Sequence, residues 1–238
     1  MYERSAAVYD AIYEAIGKDY EYEAARVVAV LAEHSLIPVD SILDVACGTG
    51  GHLVHLKDAC RVEGVELNPA MLSLARAKLP GIPMHVGDMH NFDLGKTFDA
   101  VICLFSAIGY ARGVEGLYQC MASFCHHINP GGVVLVEPWL SPEVYTSGSL
   151  HATTVDRQDL KLTRMNISEQ EGRTSVMDMH HLVGTPEGIE YFVERHELML
   201  FTHEEYLASM GAVGLMPDFD EEGLIGRGLY IGRKPLSA

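Results

Sequence analysis

Residues 42–52 read ILDVACGTGGH, and their interpretation decides the fold. An apolar run containing an acid, Asp44, meets three glycines within four positions, Gly48, Gly50 and Gly51. The chain therefore leaves a buried strand and turns sharply. Open α/β sheets bind ligands at such turns, at the C-terminal ends of their strands. A dinucleotide fingerprint counted from Gly48 needs its third glycine at position 53, which is Leu53, so a nicotinamide-dependent dehydrogenase is disfavoured.

Outward from this turn, a helix is predicted over 19–35, with Ala24, Val27, Val28 and Leu31 at helical spacing. Short β-branched runs follow at 41–46, 61–67, 82–87, 98–105 and 132–138. The gaps 51–58, 69–79, 88–95 and 113–128 can carry helices. Alternation of this kind predicts an α/β fold, a parallel sheet with helices on both faces and right-handed crossovers. From about residue 139 polar and apolar residues alternate, broken by Glu171-Gly172 and Pro186-Glu187-Gly188, as in antiparallel hairpins. A helix over 202–211 has Thr202 and Glu205 at capping-box spacing and Gly211 to end it. Strands near 213–217 and 227–233 close the chain. The expected organisation is a ligand-binding domain over 1–139 and 200–238, with an N-terminal lid over about 1–35, and an inserted antiparallel substrate lobe over 140–199.

The chain has 238 residues, 48% of them hydrophobic, enough for one core with an appended lobe. Acidic residues outnumber basic ones 33 to 17, and the net charge of −16 leaves no diffuse positive field for nucleic acid or anionic lipid. An anionic ligand must be met by a few placed arginines or by helix N-termini. The five cysteines form an odd set without CxxC spacing, mostly in apolar runs, which fits a reducing cytoplasm. Cys120, Cys125, His126 and His127 match no standard zinc spacing, and no metal is expected. The first residues lack a basic-then-apolar leader, and no apolar run approaches the ~20 residues of a membrane span.

Candidate chemistry collects at successive strand ends. Asp44 precedes the glycines and suits a ligand with a positive end. Glu66 ends the second strand, where a carboxylate can accept both hydroxyls of a ribose. Asp88 and Met89 end the third, offering an acceptor for an exocyclic amine and an apolar cover for a flat ring. Each alone could be a structural turn or a solvated acid; in this order they describe a cationic amino-acid nucleoside.

DVACGTG (44–50), VEL (65–67) and GDM (87–89) resemble the class I S-adenosylmethionine-dependent methyltransferases. That resemblance implies a Rossmann-like, mostly parallel seven-stranded sheet ending in an antiparallel hairpin, with S-adenosylmethionine as cofactor. A narrower resemblance rests on FSAIG (105–109), NPGGVVLVEPW (129–139), LTR (162–164), LFTHEEY (200–206) and GRGLY (226–230). These are similar to the N,N-dimethyltransferases of dTDP-3-amino sugars in desosamine and mycaminose biosynthesis. The resemblance implies cofactor contacts at Tyr9, Tyr20, Asp44, Ala46, Gly48, Gly50, Glu66, Leu67, Asp88, Met89 and Leu104. It places Tyr2, Ser106, Tyr110, Trp139, Arg164 and Arg227 towards the substrate, with Tyr110 and Tyr2 as catalytic candidates. A nucleotide-linked sugar is the expected partner, and a homodimer the expected assembly.

One position departs from that pattern. The family carries a histidine after the IG where this chain has Tyr110, and a hydroxyl with a pKa near 10 is a poor base. Proton removal then passes to water or to another group, or the substrate differs. An O- or N-methyltransferase of another small metabolite and an S-adenosylmethionine-binding protein without turnover therefore stay open. His180, His181 and His196 cannot be placed from sequence. Trp139 reads equally as a core plug or a substrate wall. Arg227 reads as an exposed turn charge or, with Arg164, as a phosphate anchor.

Overall fold

The computed structural model describes residues 2–236. Helices α1 (Tyr9–Ala15) and α2 (Tyr20–His34) precede β1 (Ser41–Val45), α3 (Leu53–Leu56), β2 (Arg61–Glu66), α4 (Pro69–Lys78) and β3 (Met84–Val86). Next come β4 (Phe98–Cys103), α5 (Gly113–His126), β5 (Ile128–Val136) and the strands β6 (Leu150–Asp156), β7 (Lys161–Glu171), β8 (Thr174–Thr185) and β9 (Gly188–Met199). The chain closes with α6 (His203–Ala212), β10 (Met216–Asp220) and β11 (Leu229–Arg233). Seven strands form one sheet in the order β10-β11-β5-β4-β1-β2-β3, and β6 to β9 form a separate antiparallel sheet in sequence order. In the first sheet β11 pairs antiparallel with both β10 and β5, and the other pairings are parallel. This is the expected class I methyltransferase sheet with an inserted antiparallel lobe.

All five residues of β1 are buried, because helices cover both faces of the sheet. Ile42, Ile102 and Leu135 join the core beneath α2, α3 and α4, while Leu43, Val101 and Val134 join the core beneath α5 and α6. In α2 the buried face is Ala24, Val27, Val30 and Leu31; the predicted Val28 is exposed, since the true stripe runs through the position two residues on. Two further expectations need correction. Residues 88–95 form no helix. The Asp88 carbonyl accepts from the backbone N–H groups of Asn91 and Phe92, both at 3.0 Å, in a single turn. The side chains of Asp88 and Asp93 take the N–H groups of His90 and Gly95, local bonds that compete with a helix. Helix α6 does start with the Thr202–Glu205 capping box, but it runs through Gly211 and turns at Gly214, whose φ is +85°.

The N-terminal segment joins the two sheets. Val8, Ala11 and Ile12 pack with Val155, Leu162 and Phe192 on the inner face of β6–β9. The Arg4 N–H donates to Glu194 at 2.8 Å, and the Ser5 hydroxyl bonds the other oxygen of the same carboxylate. The space left between this inner face and the C-terminal ends of β1, β2, β3 and β4 is the candidate site.

Candidate active site

A cavity of about 1250 Å³ opens there, larger than the roughly 300–1,000 Å³ of a pocket for one drug-sized ligand, so it can hold two molecules side by side. Among the described residues, four that are not glycine have left-handed backbone, Tyr2 (φ 55°), Ala46 (60°), Phe105 (52°) and Ser106 (61°), and all four line this cavity. Such conformations cost about 1 kcal/mol or more each and concentrate at sites that bind or react.

One end is built from strand tips. Gly48, left-handed at φ +57°, lines the cavity, and a Cβ there would meet only Met71, at 3.9 Å. A side chain would fill space kept for a ligand. Glu66 is buried and accepts from the N–H of Gly48 at 2.9 Å and of Asn68 at 2.8 Å. Burial raises its pKa, though these backbone bonds pull the other way. Leu67, Met89 and Leu104 supply apolar wall. Asp88 takes both the backbone N–H and the imidazole Nδ1 of His90 on its Oδ1. The His90 contact and the bonds from its N–H hold the Asp88 pKa below the ordinary value despite partial burial.

Three expected cofactor residues sit elsewhere. Asp44 lies beneath the turn, almost wholly buried, with Oδ2 lacking a hydrogen-bond partner. Burial and then the charge of Glu66 push its pKa well up. Gly50 packs on α4, where a Cβ would come within 2.9 Å of Leu79. The Tyr20 ring covers Gly51 and meets the His52 ring edge-on at 4.9 Å. These residues shape the turn from behind and do not line the cavity.

The opposite walls carry the expected substrate residues. The Trp139 indole N–H donates to Ser175 Oγ at 2.9 Å, tying the first sheet to the second, while the ring also lines the cavity. Plug and wall are one residue. The Arg227 guanidinium lies 5.6 Å above that ring and donates to Ser106 Oγ at 3.0 Å. Arg164 instead lies over Tyr13, at 5.4 Å, so the two guanidiniums stand on separate walls. Glu137, which sequence reasoning passed over, is fully buried and accepts the Phe105 N–H at 2.6 Å. That bond helps hold the left-handed pair Phe105-Ser106.

Between the two ends, aromatic rings run from the N-terminal segment into the site. Tyr2 meets Tyr9 at 5.3 Å, Tyr9 meets Tyr13 at 4.5 Å, and Tyr13 meets Phe105 at 4.8 Å. Tyr110 follows β4 in a short 3-10 turn, its hydroxyl 3.4 Å from that of Tyr2 and 2.7 Å from His196 Nδ1 on β9. His196, one of the three histidines that the sequence could not place, stands here. Its alternation with buried Glu194 and Leu198 is the only local signal that it faces inward.

A left-handed turn cleared of side chains, buried carboxylates at Asp44 and Glu66, and apolar cover at Met89 fit a cationic amino-acid nucleoside. The methyltransferase-domain family matches residues 42–132. The chain is 43% identical over 229 residues to dTDP-3-amino-3,6-dideoxy-alpha-D-glucopyranose N,N-dimethyltransferase of Streptomyces fradiae, covering 95% of this chain and 89% of that one. The chain belongs to the amino-sugar N,N-dimethyltransferase family. Within this family, DesVI of Streptomyces venezuelae superposes with a TM-score of 0.91 at 40% identity, covering 97% of this chain and 98% of that one. CalS10, an amino pentose methyltransferase from Micromonospora echinaspora solved with S-adenosylmethionine bound, superposes at 0.86 with 40% identity, covering 95% and 96%. The protein is an S-adenosylmethionine-dependent methyltransferase, as family membership requires. Among the described residues no helix is long and apolar enough to cross a membrane.

Proposed function

We propose that this enzyme methylates the amino nitrogen of a dTDP-linked amino-deoxy sugar, adding two methyl groups, in the cytoplasm of an antibiotic-producing cell. The observation that carries the reading is a single cavity that begins at the Ala46–Gly48 turn and ends at Arg164 and Arg227, in a chain otherwise strongly acidic. The names of the relatives supply the substrate class. Tyr9, Ala46, Gly48, Glu66, Leu67, Asp88, Met89 and Leu104 would hold the cofactor, and Asp44 would support the turn from below, where a bound positive charge would favour its ionised form. When bound, S-adenosylmethionine supplies a methyl group on a positively charged sulfur, which the lone pair of an amine displaces. Tyr2, Ser106, Tyr110, Trp139, Arg164 and Arg227 would position that amine and its nucleotide. Residues 140–199 act in this reading as the substrate lobe and about 1–35 as the lid that excludes water. Incubation with dTDP-3-amino and dTDP-4-amino sugars, followed by mass spectrometry, tests it. No added methyl group on either class would remove the sugar reading.

Arg227 gives a sharper check. Its Ser106 and Trp139 contacts hold a bidentate donor ready for a phosphate oxygen. Arg227→Ala should raise KM for the nucleotide sugar about 10- to 100-fold and leave S-adenosylmethionine affinity unchanged in calorimetry. Equal loss of both would make Arg227 structural.

A homodimer is part of the same proposal. The outer face of β6–β9 carries exposed Met165, Ile167, Leu182, Ile189, Tyr191 and Val193, while the inner face holds polar cavity residues. Such an apolar sheet face suits the same face of a second copy, stacked about a two-fold axis. Sedimentation should give twice the chain mass, and Leu182→Asp with Tyr191→Asp should give the monomer; a monomeric parent protein would exclude the dimer.

A further inference from the structure

Tyr110 and His196 come from different sheets and meet in the middle of the cavity, 2.7 Å apart. A phenol has one hydrogen to give and two lone pairs to receive. In the tautomer with its proton on Nε2, His196 takes that hydrogen at Nδ1, and the Tyr110 oxygen is left with lone pairs only. The Tyr2 hydroxyl, at 3.4 Å, is too far to compete on equal terms. We propose that His196 locks the Tyr110 hydroxyl as a hydrogen-bond acceptor for the substrate amine, so that Tyr110 touches the reacting nitrogen and His196 is a positioning residue. This rests on the amino-sugar reading above.

The surroundings of His196 favour this role over that of a base. Burial drives its pKa down to about 4; Glu194 on the same strand opposes, while His181 on β8 and Arg164 on β7 add to the depression. The ring of Tyr2 packs on the imidazole at 4.6 Å, and its hydroxyl and that of Tyr110 are the remaining titratable groups of this contact. The imidazole therefore stays neutral, an acceptor, throughout the working range. An alkylammonium, near 10 in water, would have to pass its proton uphill by several units to reach it. An N–H···O bond to Tyr110, by contrast, strengthens as nitrogen gains positive charge, so it favours the transition state over the ground state. The nitrogen would gain one N–C bond as the S–CH3 bond breaks and its electron pair leaves with the now neutral sulfur; the nitrogen keeps its hydrogens during the transfer and gives one proton to water afterwards. That loss must precede a second methylation, because the next attack needs a free lone pair.

Kinetics of Tyr110→Phe, His196→Leu, His196→Asn and the double variant Tyr110→Phe/His196→Leu test this, with melting temperature and S-adenosylmethionine binding measured on each. Tyr110→Phe should lower kcat about 10- to 100-fold with little change in KM. His196→Leu should fall similarly, and His196→Asn, whose amide oxygen can stand in for Nδ1, should recover most of the rate. The double variant should be no slower than Tyr110→Phe, since His196 acts only through the hydroxyl. The acid limb of the kcat profile, which reports the amine, should stay in place in His196→Asn. Additive losses in the double variant, a displaced acid limb, or an unaltered rate in Tyr110→Phe would each overturn the inference while wild-type turnover persists. Absence of turnover by the wild-type enzyme with any amino sugar would instead overturn the substrate reading, and this inference with it.

Discussion

Replacing Glu66 with alanine should weaken S-adenosylmethionine binding at least about 100-fold, the equivalent of ~3 kcal/mol. The carboxylate bridges the N–H of Gly48, in the glycine turn, and that of Asn68, the N-cap of α4. Hydrogen bonds to a charged group contribute about 1.5–3 kcal/mol each, and the deletion removes two. The Gly48 N–H lies at the rim where the ligand would sit, so the damage falls on the cradle as well as on the missing contact. Glu66→Gln separates these effects, because one amide oxygen can serve only one of the two donors and its NH2 would face the other. A loss of about tenfold is expected for it. Since burial raises the Glu66 pKa in the free protein above the ordinary carboxylate value, affinity for a cation should also decline on acidification, beginning at a higher pH than an exposed carboxylate would give. Isothermal calorimetry reads all three effects, and binding by Glu66→Ala within about threefold of the parent would dismiss the role given to this residue.

The parts of this arrangement that could be read in the sequence are those where chemistry is local. The central strand β1, buried on both faces, appears as a mostly apolar run, and the residues at or just beyond the strand ends, Ala46, Glu66, Asp88 and Leu104, inherit their position from those ends. The same double burial hides direction. Along β1 no polar–apolar alternation tells which way Asp44 points, and it points under the turn. Gly50 looked like a ligand glycine because conformational freedom and close packing leave one mark in a sequence, and here Leu79 supplies the reason. Residues 88–95 looked helical because the competing Asp88 and Asp93 side-chain bonds are as local as the helix itself. His196 and Glu137 stayed hidden for the opposite reason: their roles exist only through partners far along the chain, Tyr110 and Phe105. Glu23, in the acidic first turn of α2, is 1% exposed.

That buried acid supports the glycine turn from below, and its loss should be the most destabilising single change outside the hydrophobic core. Lys18 donates to Glu23 Oε1 at 2.6 Å, and His52 Nε2 lies 2.7 Å from Oε2. Their side chains are only 5% and 8% exposed. Glu23→Ala would strand the Lys18 ammonium away from water without a counter-charge, and breaking a buried pair in this way costs about 3–5 kcal/mol. For a chain of this size the melting temperature should drop by roughly 10 °C. The pH dependence identifies the cause. Burial raises the Glu23 pKa, but the bonds from His52 and Lys18 outweigh it and leave it lowered, so its contribution is present above the unfolded value of about 4.3 and is lost as pH falls through the folded one. Burial lowers the His52 pKa, so the unfolded chain takes up a proton first, and stability declines once pH falls below about 6.5. Wild-type melting temperature should thus fall in two stages on acidification. In Glu23→Ala the lower stage should shrink, leaving the share of other carboxylates with lowered pKa such as Asp88, while the His52 stage persists, because the carboxylate that favoured imidazolium is gone. Thermal melts across that range would detect the difference, and a variant melting within about 2 °C of the parent at neutral pH would show that Lys18 and His52 find water or other partners instead.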